Sequence, residues 1–260
     1  MPARFSVVVT VRNEERNLSP LLDSLAIQEP PLEVIVVDAG SEDRTQEITK
    51  AYGERFPFMH LYVRGGTRGT GRNYGVEKSD GKYVAFTDGD CIASPFWIRN
   101  LRAGLANADV VAGKTVQIGY RPFEDLERVE LFYHGQDITF PSCNLAYPRE
   151  RFLSLGGFDE WFMTAEDIDL NLRAVEAGAT IGFRDDAIVY HRTRATWYDF
   201  LKQAFWNGAG RKQLTLKHGR LWSSYRPREL IRREIGPVAG LRLVAALLGY
   251  GGYVAFGERR

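Results

Sequence analysis

The chain has 260 residues, 44% of them hydrophobic and 12% aromatic, which supplies one sizeable core and excludes a largely disordered polypeptide. Its 34 basic and 33 acidic residues leave a formal charge of +1, so no global field marks nucleic acid as a partner. The two cysteines, Cys91 and Cys143, exclude a disulfide framework and a Cys-rich zinc site and fit a reducing compartment.

Phe5–Val11 is a β-branched apolar run and predicts a strand buried on both faces. No charged stretch followed by a long apolar one precedes it, so the expectation is no signal peptide and a cytosolic catalytic body. Asn17–Gln28 spaces Leu18, Leu21, Leu22 and Leu25 at helical intervals, with Asn17 at the N-cap. Glu33–Asp38 predicts a second buried strand, Ser41–Tyr52 a helix and Phe58–Val63 a third strand. The glycines of Gly65–Gly71 predict a loop. Lys82–Thr87 predicts a fourth strand ending in Asp88-Gly89-Asp90, followed by a helix over Pro95–Ala106 and a further strand opening at Asp109–Gly113. Beyond these, Pro122–His134 reads as helix, Phe140–Tyr147 as mixed structure, and a short helix starts at Arg149. Gly156–Asp159 reads as a turn and Ala165–Ala177 as a helix. Ile181–His191 predicts one or two short strands, and Trp197–His218 a long aromatic-rich helix.

Strands and helices alternating at this spacing imply a mostly parallel, Rossmann-like α/β sheet flanked by helices. Ligands of such sheets bind outside the carboxyl ends of the strands. Asp38 and Asp88 both stand at such ends, so they can meet in one crevice. In Asp88-Gly89-Asp90, two carboxylates one residue apart can share a hard divalent cation, which in turn neutralises a diphosphate. From spacing alone a solvated turn is the commoner meaning of Asp-x-Asp. Its place after an apolar strand, beside the crevice that Asp38 lines, favours the metal.

Several stretches together resemble a known family. They are Val8–Glu14 (VVTVRNE), Val36–Asp43 (VVDAGSED), Gly71–Gly75 (GRNYG), Thr87–Asp90 (TDGD), Gly156–Asp159 (GGFD), Glu166–Leu170 (EDIDL) and His191 after a short strand. In this order they resemble the family 2 glycosyltransferases of the GT-A fold, over Phe5 to about Arg211. The resemblance implies an inverting, hexosyltransferase-type enzyme that uses Mn²⁺ or Mg²⁺ and a nucleoside-diphosphate sugar of UDP or GDP type. It implies that Asp38 hydrogen-bonds the base edge and that Thr10, Arg12 and Glu14 line the nucleoside pocket. Arg68 and Arg72 approach ribose or phosphates, although for Arg68 plain surface charge is an equal reading. Asp88 touches ribose or metal, Asp90 binds the metal, and His191 completes the metal shell or contacts the diphosphate. Asp167 is implied as the base that takes the acceptor's proton, with Glu166 and Asp169 as competitors and Glu166 orienting the acceptor or a loop. Favourable placement at a helix N-terminus also explains these acids without catalysis.

The chain departs from the family pattern in having Arg12-Asn13 where an aromatic often precedes Asn, and Gly71 where Ala often precedes Arg. It lacks the Gln-x-x-Arg-Trp mark of processive synthases, which implies one sugar per binding event; Gln203–Asn207 is a loose echo. Trp206, with Phe132, Tyr133, Trp161 and Phe162, is a candidate to support the acceptor by stacking, and core packing is the commoner fate of such rings.

The expected organisation is a catalytic domain over 1–218, with a donor half 1–115 and an acceptor half 116–218, then a basic and hydrophobic helical appendage over 219–260. Gly236–Gly257 contains a single charge, Arg242, and follows a basic run of Arg220, Arg226, Arg228, Arg232 and Arg233. It reads as an interfacial anchor, a weak span, or a helix packed on the domain or in a homodimer. Membrane contact would favour a peripheral place at the cytosolic face and a lipid-linked acceptor rather than a free glycan. Two other activities stay open. A nucleotidyltransferase would need a Gly-rich triphosphate loop, which Val9–Glu15 does not offer. A non-catalytic sugar-nucleotide-binding subunit would have no use for the Glu166-Asp167 pair.

Overall fold

The computed structural model describes residues 3–124, 126, 128–219, 221 and 236–256. The first half runs β1 (Phe5–Val11), α1 (Leu18–Ala26), β2 (Leu32–Asp38), α2 (Thr45–Arg55), β3 (Met59–Val63), α3 (Arg68–Glu77) and β4 (Tyr83–Asp88). It continues through β5 (Cys91–Ala93), α4 (Trp97–Gly104) and β6 (Val110–Ile118). The second half adds α5 (Arg121–Glu124), β7 (Phe132–Tyr133), β8 (Gln136–Asp137), a 3₁₀ turn (Ser142–Asn144), β9 (Leu145–Pro148) and α6 (Arg149–Ser154). It ends with α7 (Glu166–Glu176), β10 (Ile181–Arg192), α8 (Trp197–His218) and α9 (Pro237–Phe256).

One eight-stranded sheet has the order β3-β2-β1-β4-β9-β6-β10-β5, in which β9 and β5 run antiparallel to their neighbours. The near-continuous apolar runs of β1 and β2 follow from burial on both faces. Val7, Val9 and Val11 enter one core with the leucines of α1, whereas Val8 enters the other with Val84 and Phe86. Parallel pairing sets Val11 opposite Asp38 and Thr10 opposite Asp88, so the two strand ends lie along one edge of the sheet on either side of β1. The two expected halves share this sheet, because β9 and β10 pair with strands of the first half.

The glycine-rich stretch 65–71 departs from expectation. Helix α3 begins inside it at Arg68, where the Thr67 hydroxyl accepts from the Thr70 amide at 3.2 Å. The glycines are there for packing: a Cβ at Gly71 would lie 2.9 Å from Thr10 Cγ2, and one at Gly75 would lie 2.4 Å from Val8 Cγ1. Low intrinsic helix propensity concealed a helix that tertiary contact selects. Over 122–134 the expected helix shrinks to α5, and the β7–β8 hairpin turns at His134 and Gly135, both at positive φ. β10 is one long strand with an irregularity between Arg184 and Ile188. Asn17 precedes α1, but its side chain donates to Glu14 Oε2 at 2.8 Å instead of capping the helix.

The appendage helix α9 packs along α8. Cβ atoms at Gly208 and Gly249 would lie 1.8 Å from the carbonyl oxygens of Ala246 and Phe205, so the backbones meet where both helices lack side chains. Tyr250 Oη donates to Thr215 Oγ1 at 3.2 Å. The opposite surface exposes Leu241, Leu243, Val244, Leu247 and Leu248. Among the described residues no helix is long and apolar enough to cross a membrane, which removes the weak-span reading for α9. The basic run Arg220, Arg226, Arg228, Arg232 and Arg233, and Arg259 and Arg260, lie outside the described residues. Because the α8–α9 contact has no room for a side chain, Gly249→Leu is expected to cost about 1–3 kcal/mol and to release α9. A lowered Tm, with faster amide exchange confined to α9 and the facing turns of α8, is the result to look for.

Candidate functional site

Arg72 stands at the centre of the crevice wall and is 1% exposed. Its Nη2 donates to Asp88 Oδ1 at 2.7 Å and its Nη1 to Glu166 Oε1 at 2.6 Å. The guanidinium also stacks over Phe158, 5.4 Å from the ring centre. The rigid fork of donors suits two separate carboxylates. Arg72 therefore does not reach out toward ribose or phosphate as expected; its charge is taken up by Asp88 at the end of β4 and by the start of α7. Burial tends to raise the Asp88 carboxyl, but Arg72, Arg68 and His191 outweigh it and hold that group below its ordinary value. Arg68, one helical turn earlier, is exposed and lines the crevice, so the two arginines exchange the prospects that the motif suggested.

The acidic turn joins β4 to β5. Asp90 is 7% exposed and lies 3.4 Å from His191 Nε2 and 3.6 Å from Arg194 Nη1. The sheet register brings these groups together: His191 of β10 faces Cys91 of β5 on one side and Gln117 of β6 on the other. Gln117 Oε1 lies 3.1 Å from His191 Nδ1 and accepts its proton, which leaves Nε2 toward Asp90. Burial works against the imidazolium, but Asp90 and neighbouring negative charge hold its pKa at about 9. Glu14, on the turn after β1, is pushed up by burial and by Asp90 and Asp88, so three acids converge here. A carboxylate beside an oriented imidazole is a donor set that suits a divalent cation.

The three acids at the start of α7 have separate environments. Glu166 is committed to Arg72. Asp169 is fully buried among Arg173, Lys217 and His218; burial would raise it, but the hydrogen bonds from His218 and Lys217 and the charges of Arg173 and Lys217 hold it at about 2. That network clasps the end of α8 to α7. Asp167 is part-buried, with no ion pair among the described residues; it accepts from the Ser142 amide at 3.0 Å and the Ile168 amide at 2.9 Å. Burial and the adjacent Glu166 charge push it up to about 6.

A crevice of about 1000 Å³ opens over the acidic turn. Of the expected residues, Glu14, Arg68, Asp90 and Trp206 line it. Met163 and Thr164 line it just before α7, whereas Asp167 itself is not on the wall. Asp38 is fully buried, and Ser41 and Gln46 donate to its two oxygens, so it fastens the turn 38–46 rather than opening toward a base. That turn is tied to the β1 end, with the Asn13 amide donating to Ser41 Oγ and the Glu42 amide to Asn13 Oδ1. Thr10 is half-buried against Gly71, and Arg12 is exposed on the turn after β1. Arg192, Arg194 and Lys202 also line the crevice and were not singled out from sequence. The basic pair flanking Thr193, right after His191, was a usable signal. Gln117 carried none, since only the strand register puts it beside His191.

Comparison with known proteins agrees with this geometry. The family model described as Glycosyl transferase family 2 matches residues 6–155, more than half of the chain, and one described as Glycosyl transferase family group 2 matches 127–253. Glycosyltransferase AglE of Haloferax volcanii is 27% identical over 80% of this chain and 73% of its own length. The chain spans only 56% and 48% of two other curated relatives. Among solved structures, the mannosyltransferase PcManGT of Pyrobaculum calidifontis, in complex with GDP-Man and Mn²⁺, superposes with a TM-score of 0.68 at 20% identity, over 99% of this chain and 77% of that one. TarS 1-349 of S. aureus, in complex with UDP-GlcNAc, superposes with a TM-score of 0.63 at 21% identity, over 96% of this chain and 81% of that one. At such identities the structural likeness shows the fold alone, and that fold is GT-A. The strand-end crevice, the ordered motifs and the family match over residues 6–155 lead to one conclusion: this chain belongs to glycosyl transferase family 2 and is a glycosyltransferase.

Proposed function

We propose that the chain transfers a single sugar, with inversion, from a UDP- or GDP-type donor to an acceptor hydroxyl or phosphate. The observation that carries this reading is the separation of the three acids of α7. Asp169 and Glu166 are neutralised by cations, whereas Asp167 has no ion pair among the described residues and is raised to about 6. A carboxylate poised near neutral pH beside the crevice is suited to general base catalysis. In this reading Asp167 takes the acceptor's proton as its oxygen attacks the anomeric carbon, opposite the departing diphosphate. Arg68 and Arg194 face the diphosphate, and Arg72 keeps the base-bearing helix in register with the Asp88 turn.

Asp90 and His191 hold the divalent cation, Mn²⁺ or Mg²⁺, which when bound neutralises charge on the leaving diphosphate. That structural neighbours were solved with GDP-Man and Mn²⁺ and with UDP-GlcNAc supports a nucleotide-sugar donor here. Asp38 serves the nucleoside subsite by fixing the turn 38–46 against Asn13, and Thr10, Arg12 and Glu14 border it. Trp206 borders the acceptor side of the crevice.

The outward leucines of α9 support peripheral contact with a membrane surface, and the arginines that flank α9 in sequence would favour anionic lipid. A lipid-linked acceptor follows from that placement.

Asp167→Asn is expected to lower turnover by about 10²–10⁴-fold while nucleotide-sugar affinity is retained, which single-turnover assays and calorimetry would separate. A binding subunit would show no loss of function. Because the base must be ionised, kcat/KM should fall as pH drops through about 6 in the wild type. Asp90→Ala should abolish the metal dependence of donor binding; undiminished Mn²⁺-dependent binding would remove Asp90 from the site. With anionic vesicles, the full chain should co-sediment, and Leu247→Glu with Leu248→Glu should weaken this; equal sedimentation of both would end the membrane reading.

A further inference from the structure

A buried cysteine is by itself ordinary core, and Cys91 is fully buried in the cluster that includes Val11 and Trp97. What sets it apart is its register. Cys91 is the residue directly opposite His191 across the antiparallel β5–β10 pair, and opposed residues project to the same face of a sheet. Asp90 immediately precedes it on the turn. One donor atom each from Asp90, Cys91 and His191 all lie within 4.8 Å of one another. The Asp90 Oδ1–His191 Nε2 separation is 3.4 Å. Two ligands bound tetrahedrally to one ion at about 2.0–2.1 Å stand about 3.4 Å apart, so this edge is already at bonding geometry. Gln117 orients the imidazole from behind through Nδ1, as outer partners of metal-binding histidines do.

We infer that Cys91 is a third ligand of the cation site, so that the site takes a thiophilic divalent ion such as Zn²⁺ or Co²⁺ as well as, and more tightly than, Mn²⁺ or Mg²⁺. This rests on the proposed Asp90–His191 metal site and specifies its chemistry. Carboxylate, thiolate and imidazole form a donor set that tetrahedral Zn²⁺ accepts, and Asp90 is the member of it that lines the crevice. The ion replaces the thiol proton and the Nε2 proton of His191, both of which leave to solvent, so one S–H and one N–H bond break as one sulfur–metal and one nitrogen–metal bond form, without any oxidation. A hard Mg²⁺ ion gains little from sulfur, whereas a thiolate adds to the preference of Zn²⁺ and Co²⁺ over Mn²⁺.

The test is a Co²⁺ titration of the full chain, read by near-ultraviolet absorption and by calorimetry, with Zn²⁺ and Mn²⁺ as competitors. The expected result is a sulfur-to-cobalt charge-transfer band that saturates at about one ion per chain, absent in Cys91→Ala and kept in Cys143→Ala. Zn²⁺ should displace Co²⁺ at least about tenfold more effectively than Mn²⁺ does, and that ratio should shrink in Cys91→Ala. Thermal melts confirm that each variant is folded, and Cys91→Ser serves as a second, polar replacement if Cys91→Ala is not. Asp90-dependent Co²⁺ binding without the band overturns the role of Cys91 and leaves the Asp90–His191 site standing. Ion binding that ignores Asp90→Ala, or no binding of Co²⁺ or Mn²⁺, overturns the metal site itself and this inference with it.

Discussion

The buried guanidinium of Arg72 is the contact on which the rest of the site depends. It is nearly sealed from solvent and bridges Asp88, at the end of β4, to Glu166, at the start of α7. Desolvating an arginine costs several kcal/mol, and only well-aimed partners offset that. Two carboxylates at 2.6 and 2.7 Å and the face of Phe158 provide them. The pairing also removes charge repulsion that would otherwise separate Asp88 and Glu166. In effect the Asp88 turn and the start of α7 are fixed to each other by a single side chain, presented from the glycine-rich helix α3. The closeness of α3 to β1, which Gly71 and Gly75 permit, is what carries the guanidinium that deep.

The same logic of environment separates residues that look alike in sequence. Glu166, Asp167 and Asp169 fall within four consecutive positions, yet one is an arginine partner, one is free of ion pairs among the described residues, and one is sunk among Arg173, Lys217 and His218. Their titration ranges are driven apart accordingly, Asp169 to about 2 and Asp167 to about 6. Neighbouring carboxylates held at different pKa values can take different tasks at one pH. The Asp169 network has a further consequence: Lys217 and His218 end α8, so the polar cluster at the start of α7 also anchors the helix on which α9 is packed.

Of the readings open at the sequence level, helix α9 realises packing on the domain. Its small-residue side lies on α8 at backbone contact, and its leucine side faces outward. Glycines that weaken an isolated helix are here what allow the close crossing, because contact without intervening side chains maximises dispersion between backbones. After that packing, Leu241, Leu243, Val244, Leu247 and Leu248 remain exposed on one side of the helix.

Much of this protein was legible from its sequence. The apolar runs of β1, β2 and β4 are long, unbroken and doubly buried, so their ends, and hence the crevice with Asp90, could be located by pattern alone. The leucine spacing of α1 and the extent of α8 were equally clear, and the order of short motifs was enough to point to the family. What sequence could not disclose depends on which side chains become neighbours. The α3 helix was hidden by glycines whose purpose is contact with Thr10 and Val8. The closure of Asp38 by Ser41 and Gln46, the burial of Arg72 and the exposure of Arg68 each depend on where a helix face ends up pointing. Gln117, Cys91 and His191 meet only because β6, β10 and β5 are adjacent in the sheet, in a register that no local periodicity encodes. Local sequence determined the elements, through hydrophobic period and strand-end position. The tertiary structure decided the chemistry, because desolvation and charge at each carboxylate are set by residues far away along the chain.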